Sequence, residues 1–287
     1  MHTILITGAT GNVGIEVIKA LQSAGGDFRV LAGVRSPEKS RAALSRFNFT
    51  PVRFDFEDLA SADTAFAESD VLFLLRPPQI SDVGKYFAPL IQKAVEHGVG
   101  HIVFLSVQGV ESSSIIPHHK IEKLITESGI PYTFLRPAYF MQNFTTTLRS
   151  DLVKNDKISL PAGNAKFTVI DVADVGRVAA KVLINTSAHI DAAYDLTNDE
   201  TMTFGEMAEI LTDTLGRKIT FNSPNLISFY LQKRREGVAP AFIFVMIMLH
   251  YLPRFQKTPP TSYWVEKLTK RAPTTYRDFA ERNNSLL

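Results

Sequence analysis

The sequence predicts an α/β fold, a doubly wound and mostly parallel sheet followed by a smaller, mainly helical C-terminal lobe. Three observations predict it. Short apolar runs alternate with amphipathic stretches over the first two thirds of the chain. A glycine-rich turn separates the first run from the first helix. From Thr203 onward helical patterns dominate.

Taken in order, strand-like runs fall at Thr3–Thr7, Phe28–Val34, Pro51–Asp55, Asp70–Leu75, His101–Ser106 and Pro131–Arg136, with helical stretches such as Val13–Ala24 and Val83–His97 between them. VLFLL and IVFLS are continuously apolar, as strands covered on both faces must be. Asp171–Ile184 reads as another helix and Tyr194–Thr197 as a late strand. Helices follow at Phe204–Leu215, Leu226–Glu236 and Ala241–Leu252. The expected division is a dinucleotide-binding portion over residues 1–150, rejoined by 171–200, with 151–170 and 201–287 forming a helical substrate-side lobe.

The chain has 287 residues, 45% hydrophobic and 21% charged, which excludes disordered, collagen-like and coiled-coil classes. It has no cysteine, so disulfides, thiolate metal sites and thiol nucleophiles are excluded. The N-terminus lacks the basic and apolar regions of a signal peptide, and a cytoplasmic location is expected. Net charge is +2 but uneven: from Arg217 to the end there are 12 Lys and Arg against 4 Asp and Glu. The segment AFIFVMIMLHYL, Ala241–Leu252, would reach only about 18 Å as a helix against a hydrocarbon core of about 30 Å. It is expected in the core, with a pocket wall or subunit contact as the other readings.

The turn Thr7-Gly8-Ala9-Thr10-Gly11-Asn12-Val13-Gly14 lies between strand and helix. Gly8 permits the tight turn, Gly11 lets backbone approach a pyrophosphate, and Gly14 lets helix and strand pack closely. The helix N-terminus adds free N–H groups and a positive dipole end. This context marks a Rossmann dinucleotide site. The second strand ends Gly33-Val34-Arg35-Ser36 with no acid before Glu38. An NAD site places an acid there, whereas Arg35 suits a 2′-phosphate, so NADP(H) is the expected cofactor. Asp55 ends the third strand near the adenine position. Leu75 and Arg76 end the fourth beside the switch point in strand order, where Arg76 could meet phosphate, substrate or solvent.

A short-chain dehydrogenase of the ordinary kind carries Tyr-x-x-x-Lys after the fifth strand, the Tyr as general acid. Here that spacing occurs only at Tyr263–Lys267, more than a hundred residues too late, and is read as chance. The helix in the expected place begins Ile115-Ile116-Pro117-His118-His119-Lys120-Ile121-Glu122 and has no tyrosine.

GATGNVG, HIVFLSVQGV, the His118-x-x-x-Glu122 helix leading into SGIPYTFLRPAYFMQNF, and the late APTTYRDFAERN together resemble the NmrA-like atypical short-chain dehydrogenase/reductases, over nearly the whole chain. The likeness is greatest to the quinone reductase and triphenylmethane reductase branch. The resemblance implies NADP binding by Gly8, Thr10, Gly11, Asn12, Val13 and Arg35, and more loosely by Asp55, Leu75 and Arg76. By resemblance and position, Ser106 and Gln108 after the fifth strand, His118, and Tyr139, Phe140 and Asn143 after the sixth are pocket candidates. His118 is the imidazole placed to exchange a proton. Glu122 could orient His118 or pair with Lys120 or Lys123. Each has a plainer reading: an exposed first-turn histidine, core aromatics, or a capping serine.

Two functions follow. One is an NADPH-dependent reductase of quinone-like or other aromatic acceptors, chemistry that needs stacking and alignment more than a Tyr-Lys pair. The other is a non-catalytic, NAD(P)-binding redox sensor with a protein partner. Lys233-Arg234-Arg235 raises nucleic-acid binding only weakly, because no reading module accompanies it. The expected partner is a small aromatic substrate, with no metal, nucleic acid or membrane and with a homodimer left open.

Overall fold

The computed structural model describes residues 2–43, 45 and 47–287. In chain order the elements are β1 (His2–Thr7), α1 (Asn12–Ala24), β2 (Phe28–Val34), α2 (Pro37–Ala43), β3 (Thr50–Arg53), α3 (Ala60–Ala67), β4 (Val71–Leu75), α4 (Val83–Glu96), β5 (His101–Leu105), α5 (Pro117–Glu127) and β6 (Tyr132–Pro137). There follow β7 (Tyr139–Phe140), α6 (Arg149–Asn155), β8 (Lys157–Ser159), β9 (Phe167–Ile170), α7 (Val172–Ile184), β10 (Ala192–Leu196), β11 (Thr201–Met202), α8 (Phe204–Leu215) and β12 (Thr220–Asn222). The chain ends with α9 (Leu226–Arg235), α10 (Pro240–Tyr251), α11 (Trp264–Thr269) and α12 (Tyr276–Arg282).

Two compact units result. The first runs up to Pro137, resumes over Val172–Leu196 and closes with Trp264–Ala272. Its sheet has the order β10-β6-β5-β4-β1-β2-β3, with every pairing parallel. Strand order reverses between β1 and β4, which places a crevice beyond their carboxyl ends. β5 is buried along its whole length, as its apolar sequence requires. α1 buries Val13, Val17, Ile18 and Leu21 on one stripe and ends at Gly25, whose φ of +64° suits glycine. Asp82 caps α4 by accepting from the Lys85 amide, and Pro117 opens α5 at the position where its missing N–H costs nothing. Behind the sheet, Phe54, Phe66, Phe87, Phe104 and Phe134 belong to one core.

The second unit comprises Ala138–Asp171, Thr197–Tyr263 and Pro273–Leu287. The expected boundary near residue 150 moves to Pro137, because β7 leaves the large sheet to pair with β9. The loop after Arg136 therefore carries strands as well as helix. β11-β9-β7 form a three-stranded sheet and β12 pairs with β8. Residues 264–272, expected in the helical lobe, belong to the first unit, where Tyr194 packs on Trp264 with ring centroids 4.7 Å apart. A capping box of Thr203 and Glu206 starts α8. Phe144, Phe204, Phe229, Tyr276 and Phe279 fill this unit's core.

The apolar run at α10 departs from the expected core helix. Ile243, Met246 and His250 are buried, while Phe244, Val245, Met248 and Leu249 on the opposite face are exposed. Lys233 also differs from a surface cation: it is buried, donating to Asp151 Oδ2 at 2.8 Å and Glu236 Oε2 at 2.8 Å. No helix among the described residues is long and apolar enough to cross a membrane.

α1 and α7 meet where Gly176 lies on the α1 backbone, and a Cβ there would stand 2.6 Å from the Glu16 carbonyl oxygen. Gly176→Ala is therefore expected to destabilise the protein by about 1–3 kcal/mol, read as a lower denaturant midpoint. Gly205→Ala, whose Cβ would meet nothing closer than Thr203 Oγ1 at 3.6 Å, is expected to leave it unchanged or raise it.

Candidate active site

The turn between β1 and α1 is built as its glycines require. Gly8 has φ +62°, and its carbonyl accepts from the Gly11 amide at 2.9 Å. A Cβ on Gly14 would stand 2.4 Å from the Gly8 oxygen and 2.7 Å from Ala9 Cα, so only glycine lets the helix start this close to the strand. Thr10, Gly11 and Asn12 are exposed, whereas Val13 is buried in the core and can offer a ligand only its backbone. No side chain caps α1, which leaves its first N–H groups to solvent or an anion.

Thr7 joins this turn to β4. Its Oγ1 donates to the Phe73 carbonyl at 3.1 Å and accepts from the Leu75 amide at 2.8 Å, and Leu75 covers Gly8. At the ends of β2 and β3, Arg35 is exposed. Asp55 lies two residues past the end of β3, in a turn where its carboxylate accepts from the Glu57 amide at 3.0 Å. Ser106, after β5, is 2% exposed, and its Oγ has no hydrogen-bond partner among the described residues. An orphaned buried hydroxyl at a carboxyl strand end marks a place for a ligand atom. The open cradle and this hydroxyl fit a dinucleotide.

Arg76 is fixed by four contacts. Nη1 donates to the carbonyls of Pro77 at 3.1 Å, Pro78 at 3.2 Å and Ile80 at 2.7 Å, and Nε donates to His118 Nε2 at 3.4 Å. Because Arg76 can only donate, His118 Nε2 is the unprotonated nitrogen. The ring lies beside Phe104, centroids 6.0 Å apart. Burial, with the Arg76 cation adding to it, brings the His118 imidazole down to about 3. His118 is therefore neutral near pH 7, with its basic nitrogen already occupied, and this geometry favours holding Arg76 over the proton exchange expected from sequence.

Glu122 does not serve His118 either. Its carboxylate receives Arg136 Nε at 3.0 Å and Nη2 at 2.7 Å, a two-point pair that ties α5 to β6. Gln108 is held to the same strand end: its amide donates to the Pro137 carbonyl at 3.0 Å and its side chain bonds Asp195.

The second unit carries the remaining candidates. Tyr139 OH lies 3.1 Å from His250 Nε2, and the Tyr139 ring meets Phe167 and Phe204 edge-on. His250 Nδ1 lies 2.6 Å from the Met246 carbonyl, which fixes the proton there and leaves Nε2 to accept from Tyr139. Burial lowers His250 to about 4 and raises the Tyr139 phenol, while a hydrogen bond from the Asn143 side chain pulls the phenol the other way. Asn143 thus finds its hydrogen-bond partner in Tyr139. His250 is a residue that sequence reasoning passed over; its signal was one ionisable side chain inside a twelve-residue apolar run. Phe140 pairs with Ile170 across β7 and β9. Lys267 of the late Tyr-x-x-x-Lys match stacks on Trp264, 4.4 Å from the ring centre, consistent with chance spacing.

The strand order, the glycine cradle and the switch-point crevice define a dinucleotide-binding α/β protein of the short-chain dehydrogenase/reductase type. The chain belongs to the NmrA-like family, whose sequence profile matches residues 1–233. It is 27% identical over 283 residues to prestalk A differentiation protein A of Dictyostelium discoideum, covering 99% of this chain and 93% of that one. It is 29% identical over 238 residues to quinone oxidoreductase 2 of Escherichia coli strain K12, covering 82% of each. The crystal structure of Citrobacter sp. triphenylmethane reductase complexed with NADP(H) superimposes with a TM-score of 0.86 at 26% identity, over 97% of this chain and 99% of that one.

A histidine held below its unfolded value of about 6.5 binds fewer protons folded than unfolded between the two values. Stability is therefore full above about pH 6.5 and falls as the pH drops toward 3, with His250 and His101, both lowered to about 4, acting in the same direction. In an NMR titration the His118 ring resonances are expected to stay constant from about pH 8 to about pH 5. A midpoint near the ordinary histidine value would contradict the buried Arg76–His118 contact.

Proposed function

We propose that the protein is an NADPH-dependent oxidoreductase that reduces quinone-like or other aromatic acceptors. The observation that carries this reading is the open β1–α1 cradle with Arg35, and no carboxylate, at the end of β2. The names of the relatives support the class: a quinone oxidoreductase, and a dye reductase crystallised with NADP(H). Bound NADPH supplies a hydride, so that quinone, NADPH and one proton give hydroquinone and NADP⁺.

The side chains divide the remaining work. The cradle and the α1 N-terminus hold the pyrophosphate, and Arg35 holds the 2′-phosphate. Ser106 Oγ offers an unused hydrogen bond at the end of β5. Arg76, a cation pinned by three carbonyls and by His118, stabilises negative charge that grows on the acceptor oxygen. Tyr139 is a neutral phenol bonded to His250 and Asn143. A flat, electron-poor acceptor takes its proton from water, so the Tyr-Lys pair is dispensable here.

Steady-state NADPH oxidation against a panel of quinones and triphenylmethane dyes tests the reading; no turnover above the enzyme-free rate with any acceptor would overturn it. Arg35→Ser is expected to raise KM for NADPH by about 10–100-fold, leaving kcat and the use of NADH nearly unchanged. Arg76→Leu is expected to lower kcat by about 100-fold, with KM for NADPH within about threefold of the parent value.

A further inference from the structure

We infer that α9 and α10 form a docking surface for an anionic lipid bilayer. The face of α10 opposite its buried Ile243, Met246 and His250 exposes Phe244 (58%), Val245, Met248 (51%) and Leu249, and Leu252 and Phe255 (72%) continue it beyond the helix. α9 extends the surface through Ile227 and Leu231, one turn apart, with Tyr230 and Phe244 in ring contact at 5.8 Å. Exposed large apolar side chains are ordinary when scattered, but six on two packed helices with two more directly after them are not.

The charge around this surface selects its occupant. Between Leu226 and Tyr263 the chain has five Lys and Arg and one acid, Glu236. Glu236 is already bonded to Lys233, itself buried against Asp151. Besides Glu236, itself exposed and held by Lys233, the outward charges of this segment are Arg234, Arg235, Arg254 and Lys257, all positive. A second copy docked through the same face would bring these four cations toward their own images with one carboxylate of the segment, Glu236, to receive them, and that one already paired with Lys233. An anionic leaflet supplies the opposite charge along a plane and takes apolar side chains into its acyl boundary, while α10, at twelve residues, is too short to span it.

Docking is read from the surface alone. Its use rests on the quinone reading, since lipid-soluble acceptors concentrate in bilayers. α10 links the two, carrying His250, the partner of Tyr139, on its buried face and the apolar surface on the other.

The test is flotation of the full chain, without cofactor or acceptor, on vesicles of phosphatidylcholine alone and with phosphatidylglycerol added. Binding to the anionic vesicles is expected to exceed that to neutral ones by about tenfold and to weaken as salt rises. The double substitution Phe244→Glu, Met248→Glu is expected to abolish it, with circular dichroism and turnover of a water-soluble quinone unchanged. Absence of vesicle binding, or binding the double substitution does not weaken, would overturn the proposal. So would a solution dimer that the double substitution splits, which would give this face to a second copy. Turnover on water-soluble quinones without vesicle binding rejects docking alone; vesicle binding without turnover on any acceptor rejects the quinone reading alone.

Discussion

The close approach of α1 to β1 is the constraint on which the first unit depends. Gly14 rests on the Gly8 carbonyl and Ala9 at distances no side chain permits. That contact fixes where the helix begins and hence where its unpaired N–H groups stand. The same helix is then held from its other side by α7, where Gly176 removes the side chain that would push the two apart. Thr7 carries the registration one strand further by bonding both Phe73 and Leu75 of β4. Three small or short side chains thus align the cradle with the strand end that bears Arg76. A side chain at Gly14 or Gly176 would have to displace the backbone it touches.

Burial sets the protonation of the enclosed histidines in each unit. A histidine enclosed beside an arginine cannot afford a second positive charge, so His118 stays neutral and becomes an acceptor that steadies Arg76. His250, enclosed among aromatics, is neutral for the same reason and accepts from Tyr139. Neither imidazole is a reservoir of protons near neutrality. The arrangement suits a reaction whose main demand is fixed electrostatics, with protons taken from solvent.

The strands of the large sheet were legible because a parallel strand buried on both faces reads as an uninterrupted apolar run, and the glycine turn because each glycine answers a distinct steric need. Arg35, Leu75 and Arg76 could be placed at strand ends once the strands were placed. What sequence did not disclose depends on pairing between distant segments. β7 and β9 have two and four residues, too few for any period to register, and they decide where the second unit begins. Glu122 looked available to His118 at helical spacing, but its carboxylate is taken by Arg136, which no periodicity connects to it. Lys233 reads in sequence as one of three consecutive cations, and only the fold brings Asp151, far away in sequence, beside it.

α10 shows most plainly what composition leaves undetermined. A helix apolar on every side has no preferred buried face, so its sequence could not say which stripe the core would take. The choice falls to the partners available: Tyr139, Phe167 and Phe204 receive His250 on one side. His250 needs that side more than any leucine does, because its two nitrogens must find Tyr139 and the Met246 carbonyl once they leave water. Satisfying one polar residue therefore directs Phe244, Met248 and Leu249 outward. Their exposure follows from the needs of the buried cluster, and retaining large apolar residues there, where polar ones would be more soluble, calls for a surface that covers them.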